Sequence, residues 1–114
     1  RKKEIIVNLG GDNISPSKIE NLLCLNEKIK QSFVYGDKKT FLSALVVSDS
    51  KENKKEIEFY IENLNKSLSL VEKVKKFKLI DQEFTIENGM LTPTLKLKRK
   101  KILENYKEDL EKLY

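Results

Sequence analysis

The sequence predicts an α+β domain: a small, mostly three-stranded sheet with flanking helices, a lysine-bearing loop and a C-terminal amphipathic helix. Three observations predict it. Short β-branched apolar runs alternate with stretches of helical periodicity, in the order β-α-β-β-α-(α)-β-loop-α. The length, 114 residues at 39% hydrophobic and 36% charged, suits one domain with a lean core rather than a disordered polyampholyte. The last segment, Lys98 to Tyr114, places Ile102, Leu103, Tyr106, Leu110 and Leu113 on one helical face, with Glu104, Lys107, Glu108 and Lys112 on the remainder.

Taken in order, Glu4 to Leu9 reads as a strand stopped by Gly10-Gly11. Ser15 is the expected N-cap of a helix from Pro16 to about Leu25, because proline at the first helical position loses no needed hydrogen bond. Ile19, Leu22 and Leu23 point inward, and Cys24, on the same apolar stretch, is expected in the core. Ile29 to Tyr35 and Phe41 to Val47 form a hairpin, its Gly36-Asp37 turn supplying a residue that tolerates positive φ. The continuous apolar run of the second strand predicts burial on both faces. Lys51 to Leu64 is polar except at Ile57, Tyr60, Ile61 and Leu64, the pattern of a surface helix. Ser67 to Lys75 begins a second short helix, and Lys76 to Ile80 is a strand. A loop with Asn88-Gly89 and Pro93 leads to the final helix, whose apolar stripe is expected to dock on the domain rather than on a membrane.

Composition removes several function classes. With no histidine there is no Ser-His or Cys-His pair, and a single cysteine forms no internal disulfide. Any chemistry must rest on lysine, arginine, carboxylates, hydroxyls or backbone, and no metal site is expected. The longest uncharged apolar run, Phe41 to Val47, falls far short of the roughly 20 residues of a membrane span. Arg1-Lys2-Lys3-Glu4 is charged, but the apolar stretch after it ends too soon for a secretory signal. A first residue other than Met suggests an excised piece. The net charge of +5 is local, concentrated in Lys96 to Lys101 with a smaller group at Lys73, Lys75, Lys76 and Lys78. Such clusters suit phosphate-bearing ligands. Nucleic acid is not expected, because Phe33, Phe41, Phe59 and Phe77 fall in apolar-patterned segments rather than on a stacking platform.

Two loops carry the chemical signal. In Leu9-Gly10-Gly11-Asp12-Asn13-Ile14-Ser15-Pro16, paired glycines let a ligand approach the main chain closely, although a simple strand-to-helix turn needs the same residues. No dinucleotide fingerprint or phosphate loop accompanies them. In Glu87 to Arg99, Thr92 and Thr94 bracket Pro93, and Lys96 and Lys98 alternate with Leu95 and Leu97. A lysine there is a mobile point charge for an anionic transition state, or part of a solvated basic edge.

In order, these segments resemble the C-terminal domain of AMP-forming acyl-CoA synthetases, of the adenylate-forming superfamily. Gly10-Gly11-Asp12-Asn13-Ile14-Ser15-Pro16-Ser17-Lys18-Ile19-Glu20 is similar to the family's Gly-Gly-x-Asn-Ile-x-Pro-x-x-Ile-Glu segment. Asn88 to Arg99 resembles the catalytic-lysine motif of the long-chain fatty acid–CoA ligases, and Arg1 to Ile6 resembles the hinge motif without its preceding glycine. Phe33 to Asp37, Leu42 to Val47 and the closing helix resemble the same branch, so the likeness runs through essentially the whole chain.

The resemblance implies a two-step reaction in which fatty acid and ATP give acyl-adenylate and pyrophosphate, and coenzyme A then displaces AMP. It implies a mobile lobe, residues 1–114, that swings against its own large N-terminal AMP-binding domain, which is absent here; alone the lobe should be inactive. By its spacing, Lys96 is implied as catalytic, with Thr92, Lys98 and Arg99 as ligand contacts and Lys98 as a rival lysine. Gly10, Gly11, Asp12 and Asn13 are implied at the pantetheine channel, and Lys3 at the hinge. Mg and most ATP contacts would come from the missing domain. A cytoplasmic enzyme is implied, with peripheral membrane attachment as one option. The common superfamily pattern has Ser-Gly before the lysine, where this chain has Thr94-Leu95. The alternative reading is a stand-alone basic module for nucleic acid or acidic partners.

Overall fold

A computed structural model describes residues 5–114. The hinge assignment at Lys3 and the first residue of the predicted opening strand, Glu4, lie outside the described residues. The chain forms β1 (Ile6–Val7), β2 (Asn13–Ile14), α1 (Pro16–Leu23), β3 (Gln31–Tyr35), β4 (Leu42–Val47), α2 (Lys54–Asn65), β5 (Val74–Ile80) and α3 (Arg99–Glu111). This is the predicted α+β class.

The sheet is built around β4. It pairs antiparallel with β3, Phe33 opposite Leu45, and parallel with β5, Ala44 opposite Phe77. The parallel pairing follows from α2, which carries the chain back to the starting edge as a crossover. All six residues of β4 are buried, as its unbroken apolar run predicts. Alternation sends Leu42, Ala44 and Val46 to one face, against Ile19 and Leu23 of α1 and Ile57 and Ile61 of α2. Leu45 and Val47 face the other layer, with Phe84, Met90, Leu91 and Ile102 and Leu110 of α3. The small sheet of β1 and β2 adds Ile6 and Ile14 to the first layer.

The hairpin turn departs from its expected conformation. Positive φ falls on Lys38 (φ 62°), not on Gly36 or Asp37. Gly36 is needed instead for space: a Cβ there would lie 2.5 Å from Leu42 Cδ2 and 3.2 Å from the Phe41 carbonyl oxygen. The turn also receives the chain's opening strand, with Lys38 N donating to the Val7 carbonyl (2.8 Å) and Leu9 N to the Lys39 carbonyl (2.9 Å).

Three further expectations are corrected. The segment from Ser67 to Lys75 holds only one 3-10 turn, Leu70–Glu72. Asn65 ends the helical run by binding both backbone groups of Val74, at 2.9 and 2.8 Å, which starts β5 early. Cys24 is exposed rather than core: it follows the last residue of α1, Leu23, and its thiol lies 3.4 Å from Ser32 Oγ. Phe59 is 67% exposed, on the side of α2 away from Ile57 and Ile61 and between Glu58 and Glu62 in sequence. Ser15 does occupy the N-cap of α1 with extended backbone, but its hydroxyl makes no capping bond.

The end of the chain is clasped to the β3–β4 hairpin. Glu111 accepts from Tyr35 Oη and Lys39 Nζ, both at 2.6 Å, and the Tyr114 ring stacks on Phe41 at 4.6 Å. Burial first, then the Glu111 carboxylate, pushes the Tyr35 phenol up. The Lys39 and Tyr35 hydrogen bonds hold Glu111 below the usual carboxylate range.

Candidate functional site

The glycine loop is a tight hairpin between β1 and β2. Gly11 N donates to the Asn8 carbonyl (3.0 Å) and Asn8 N to the Asp12 carbonyl (3.2 Å), enclosing Leu9, Gly10 and Gly11. Asn8 Oδ1 accepts from Asp12 N at 2.8 Å, and its amide reaches Asp12 Oδ2 at 3.3 Å. Gly11 adopts φ +86°, the left-handed region that closes such a loop. Gly10 is different. A Cβ at Gly10 would meet nothing closer than 3.5 Å, so the fold itself does not require glycine there. Asp12 and Asn13, assigned with the glycines, close the hairpin and pair with Val7, respectively.

The lysine loop is the same hairpin built from other residues. Leu95 N donates to the Thr92 carbonyl (2.8 Å) and Thr92 N to the Lys96 carbonyl (2.8 Å), enclosing Pro93, Thr94 and Leu95. Thr92 Oγ1 accepts from Lys96 N at 3.1 Å, as Asn8 does in the first loop. The residue in Gly11's role is Leu95, at φ +65° and 68% exposed. Leucine pays a steric penalty there that glycine does not. This chain closes the same turn with a strained leucine.

The base of this hairpin is anchored. Leu91 pairs with Leu97, and Lys98 N donates to the Met90 carbonyl at 2.8 Å. Thr85 and Asn88 exchange side-chain-to-backbone bonds of 3.0 Å just upstream, and Gln31 brackets the Phe84 backbone at 2.9 and 2.7 Å. Lys96 therefore stands exposed on a braced tip, followed by exposed Lys98.

Thr92, Lys98 and Arg99 line one open depression of about 480 Å³ together with Lys100 and Lys101 at the start of α3. Lys96 is not among its lining residues, and neither is the glycine hairpin. Arg99 is engaged within the domain: its Nη1 and Nη2 donate to Glu20 at 2.7 and 2.5 Å. Glu20 was legible in the glycine segment but carried no assigned role; its signal was an acid beside Ile19 on the inward face of a helix. The lining, net positive despite Glu104, suits phosphate groups in charge. Among the described residues no group of three or more acidic or cysteine side chains could hold a metal ion.

A family described as the AMP-binding enzyme C-terminal domain matches residues 3–114. This chain belongs to that family. The C-terminal domain of AMP-binding enzymes is thus the frame for both hairpins. Over the whole chain it is 34% identical to a long-chain-fatty-acid–CoA ligase, FadD15, of Mycobacterium tuberculosis, covering 23% of that protein. It is 30% identical over its whole length to a long-chain-fatty-acid–[acyl-carrier-protein] ligase of Arabidopsis thaliana, covering 17% of that protein. In three dimensions it matches the A-PCP didomain of a carboxylic acid reductase from Segniliparus rugosus, solved with AMP. That match has TM-score 0.85 and 28% identity over all of this chain and 18% of the other. The chain therefore spans less than a quarter of the length of the curated relatives named here.

Proposed function

We propose that this chain is the mobile C-terminal lobe of a long-chain fatty acid–CoA ligase, supplying Lys96 for adenylation and the glycine hairpin for thioester formation. The observation that carries the reading is the braced hairpin at Thr92 to Lys96, which projects an exposed lysine away from the lobe's own core. A lysine displayed in this way acts on something outside its domain. The large N-terminal AMP-binding domain is its proposed partner, and fatty acid, ATP and coenzyme A its substrates.

In the first step a carboxylate oxygen attacks the α-phosphorus of ATP and pyrophosphate leaves. The Lys96 ammonium would lie between carboxylate and α-phosphate, offsetting the charge that crowds there as the new P–O bond forms. Lys98, Lys100 and Lys101 supply a diffuse positive field near the same hairpin. In the second step the lobe turns, and thiolate attack on the acyl carbon expels AMP. The side-chain-free backbone at Gly10 and Gly11, with open space over Gly11, would then let the pantetheine arm pass, where a larger side chain would block it. Rotation between the two poses is the gating motion, with Lys3 assigned to the hinge.

The test compares Lys96→Ala and Lys98→Ala in the full-length enzyme by fatty-acid-dependent pyrophosphate exchange. Lys96→Ala is expected to lose roughly 10²–10³-fold in rate, the scale for removing one transition-state donor. Lys98→Ala should lose far less. Loss confined to Lys98→Ala would transfer the role to that residue and overturn this assignment. Offering coenzyme A and a phosphopantetheinylated carrier protein side by side identifies the acceptor thiol; acyl transfer only to the carrier would replace the coenzyme A step.

A further inference from the structure

The two loops belong to different sequence motifs, yet one ion pair ties them together. Glu20 lies in α1, which the glycine hairpin feeds, and Arg99 opens α3, which the lysine hairpin feeds. Glu20 is buried at 6% exposure, and both of its oxygens are held by the Arg99 fork. Oε2 also accepts from Val34 N of β3 at 2.8 Å, and the guanidinium sits 5.6 Å from the Phe33 ring centroid. A bidentate fork fixes direction as well as distance. Burying a carboxylate is tolerated only because those partners are in place, so the contact has one favoured geometry.

Arg99 follows Lys96 by three residues, through the Leu97 pairing and the Lys98 bond to Met90. This pair is therefore one of the contacts, with those at Leu97 and Lys98, that set the orientation of the lysine hairpin against α1 and the sheet. We propose that Glu20 is a positioning residue for Lys96. The inference rests on the reading of Lys96 as the adenylation lysine. It assigns a residue of the glycine motif to the step performed by the other loop, which motif membership alone would not do.

The test uses full-length enzyme carrying Glu20→Gln, which keeps the volume and an oxygen for Val34 N but removes the charge. Adenylation is expected to fall roughly 10–100-fold, as a displacement of the reacting group by about 1 Å would cause. Thioester formation from supplied acyl-adenylate should proceed at the wild-type rate. Arg99→Lys, which keeps the charge and loses the fork, should shift the same way. In a Lys96→Ala background, Glu20→Gln should add almost nothing, because its effect runs through the missing lysine. Equal loss in both half-reactions of Glu20→Gln and Arg99→Lys, or a full further loss in the Lys96→Ala background, would mean a merely structural pair. Unchanged adenylation in Glu20→Gln while Lys96→Ala is inactive defeats the positioning role alone. If Lys96→Ala itself spares adenylation, the underlying reading fails instead.

Discussion

Replacing Leu95 by glycine should stabilise this domain. Two hairpins of one design occur in the fold, closed by Gly11 at φ +86° and by Leu95 at φ +65°. A residue with a Cβ pays roughly 1–2 kcal/mol in the left-handed region. Glycine would recover that strain but give back roughly 0.4–1 kcal/mol through the greater freedom of its unfolded chain. Leu95 is 68% exposed, so little buried apolar area is lost with its side chain. The balance is a gain of about 0.5–1 kcal/mol. For a chain of this size that raises the melting temperature by about 2–5 °C. Urea unfolding of the 114-residue chain, followed by circular dichroism, reads it as a higher midpoint at unchanged slope. Leu95→Asn should gain part of the same stability, because asparagine tolerates this conformation, whereas Leu95→Ala keeps the strain. A Leu95→Gly variant less stable than Leu95→Ala would refute the reasoning, since both lack the leucine side chain and the difference would mean that unfolded-chain entropy, not backbone strain, dominates at this position.

The other expectations follow from the glycine hairpin and the clasped terminus. Gly11→Ala should cost about 0.5–1 kcal/mol in urea unfolding, because alanine meets the left-handed penalty and recovers only part of it through its stiffer unfolded chain. Gly10→Ala should fall within about 0.5 kcal/mol of the wild type, because its Cβ meets no atom closer than 3.5 Å. A similar cost at both positions would contradict that separation. Glu111 is held below the ordinary carboxylate range by Lys39 and then Tyr35, so its contribution is present above the unfolded value and is lost as pH falls through the folded one. Stability measured down through the acid range should therefore decline less steeply in Glu111→Gln than in the wild type; parallel profiles would remove this residue from the acid response.

Much of the architecture was legible because its signals are local. The apolar run of β4 announced a strand covered on both faces, and the stripe at Ile57, Tyr60, Ile61 and Leu64 announced α2. Both candidate loops were visible as glycine and proline punctuation. What escaped depends on partners remote in sequence. The strand start at Val74 is set by Asn65, nine residues away, which overrode the helical reading of Ser67 to Lys75. Cys24 sits beyond the end of α1, and periodicity cannot fix a helix end to one residue. The positive φ falls on Lys38 rather than in the Gly36-Asp37 pair, and Gly36 is needed instead for its close approach to Leu42. The coupling of Glu20 to Arg99 spans 79 residues and has no local signature at all. Its consequence for the site is that Arg99, read by spacing as a ligand contact, spends its fork inside the domain.

The account stands on one lobe serving two half-reactions through two separate hairpins. Its most direct test measures both half-reactions of the full-length enzyme in Lys96→Ala and in Gly10→Leu, the latter chosen because a Cβ at Gly10 meets only ordinary side-chain contacts. The account predicts a crossed result: Lys96→Ala loses acyl-adenylate formation and keeps thioester formation from supplied acyl-adenylate, while Gly10→Leu does the reverse. Both variants losing the same half-reaction, or each losing both equally, would contradict it.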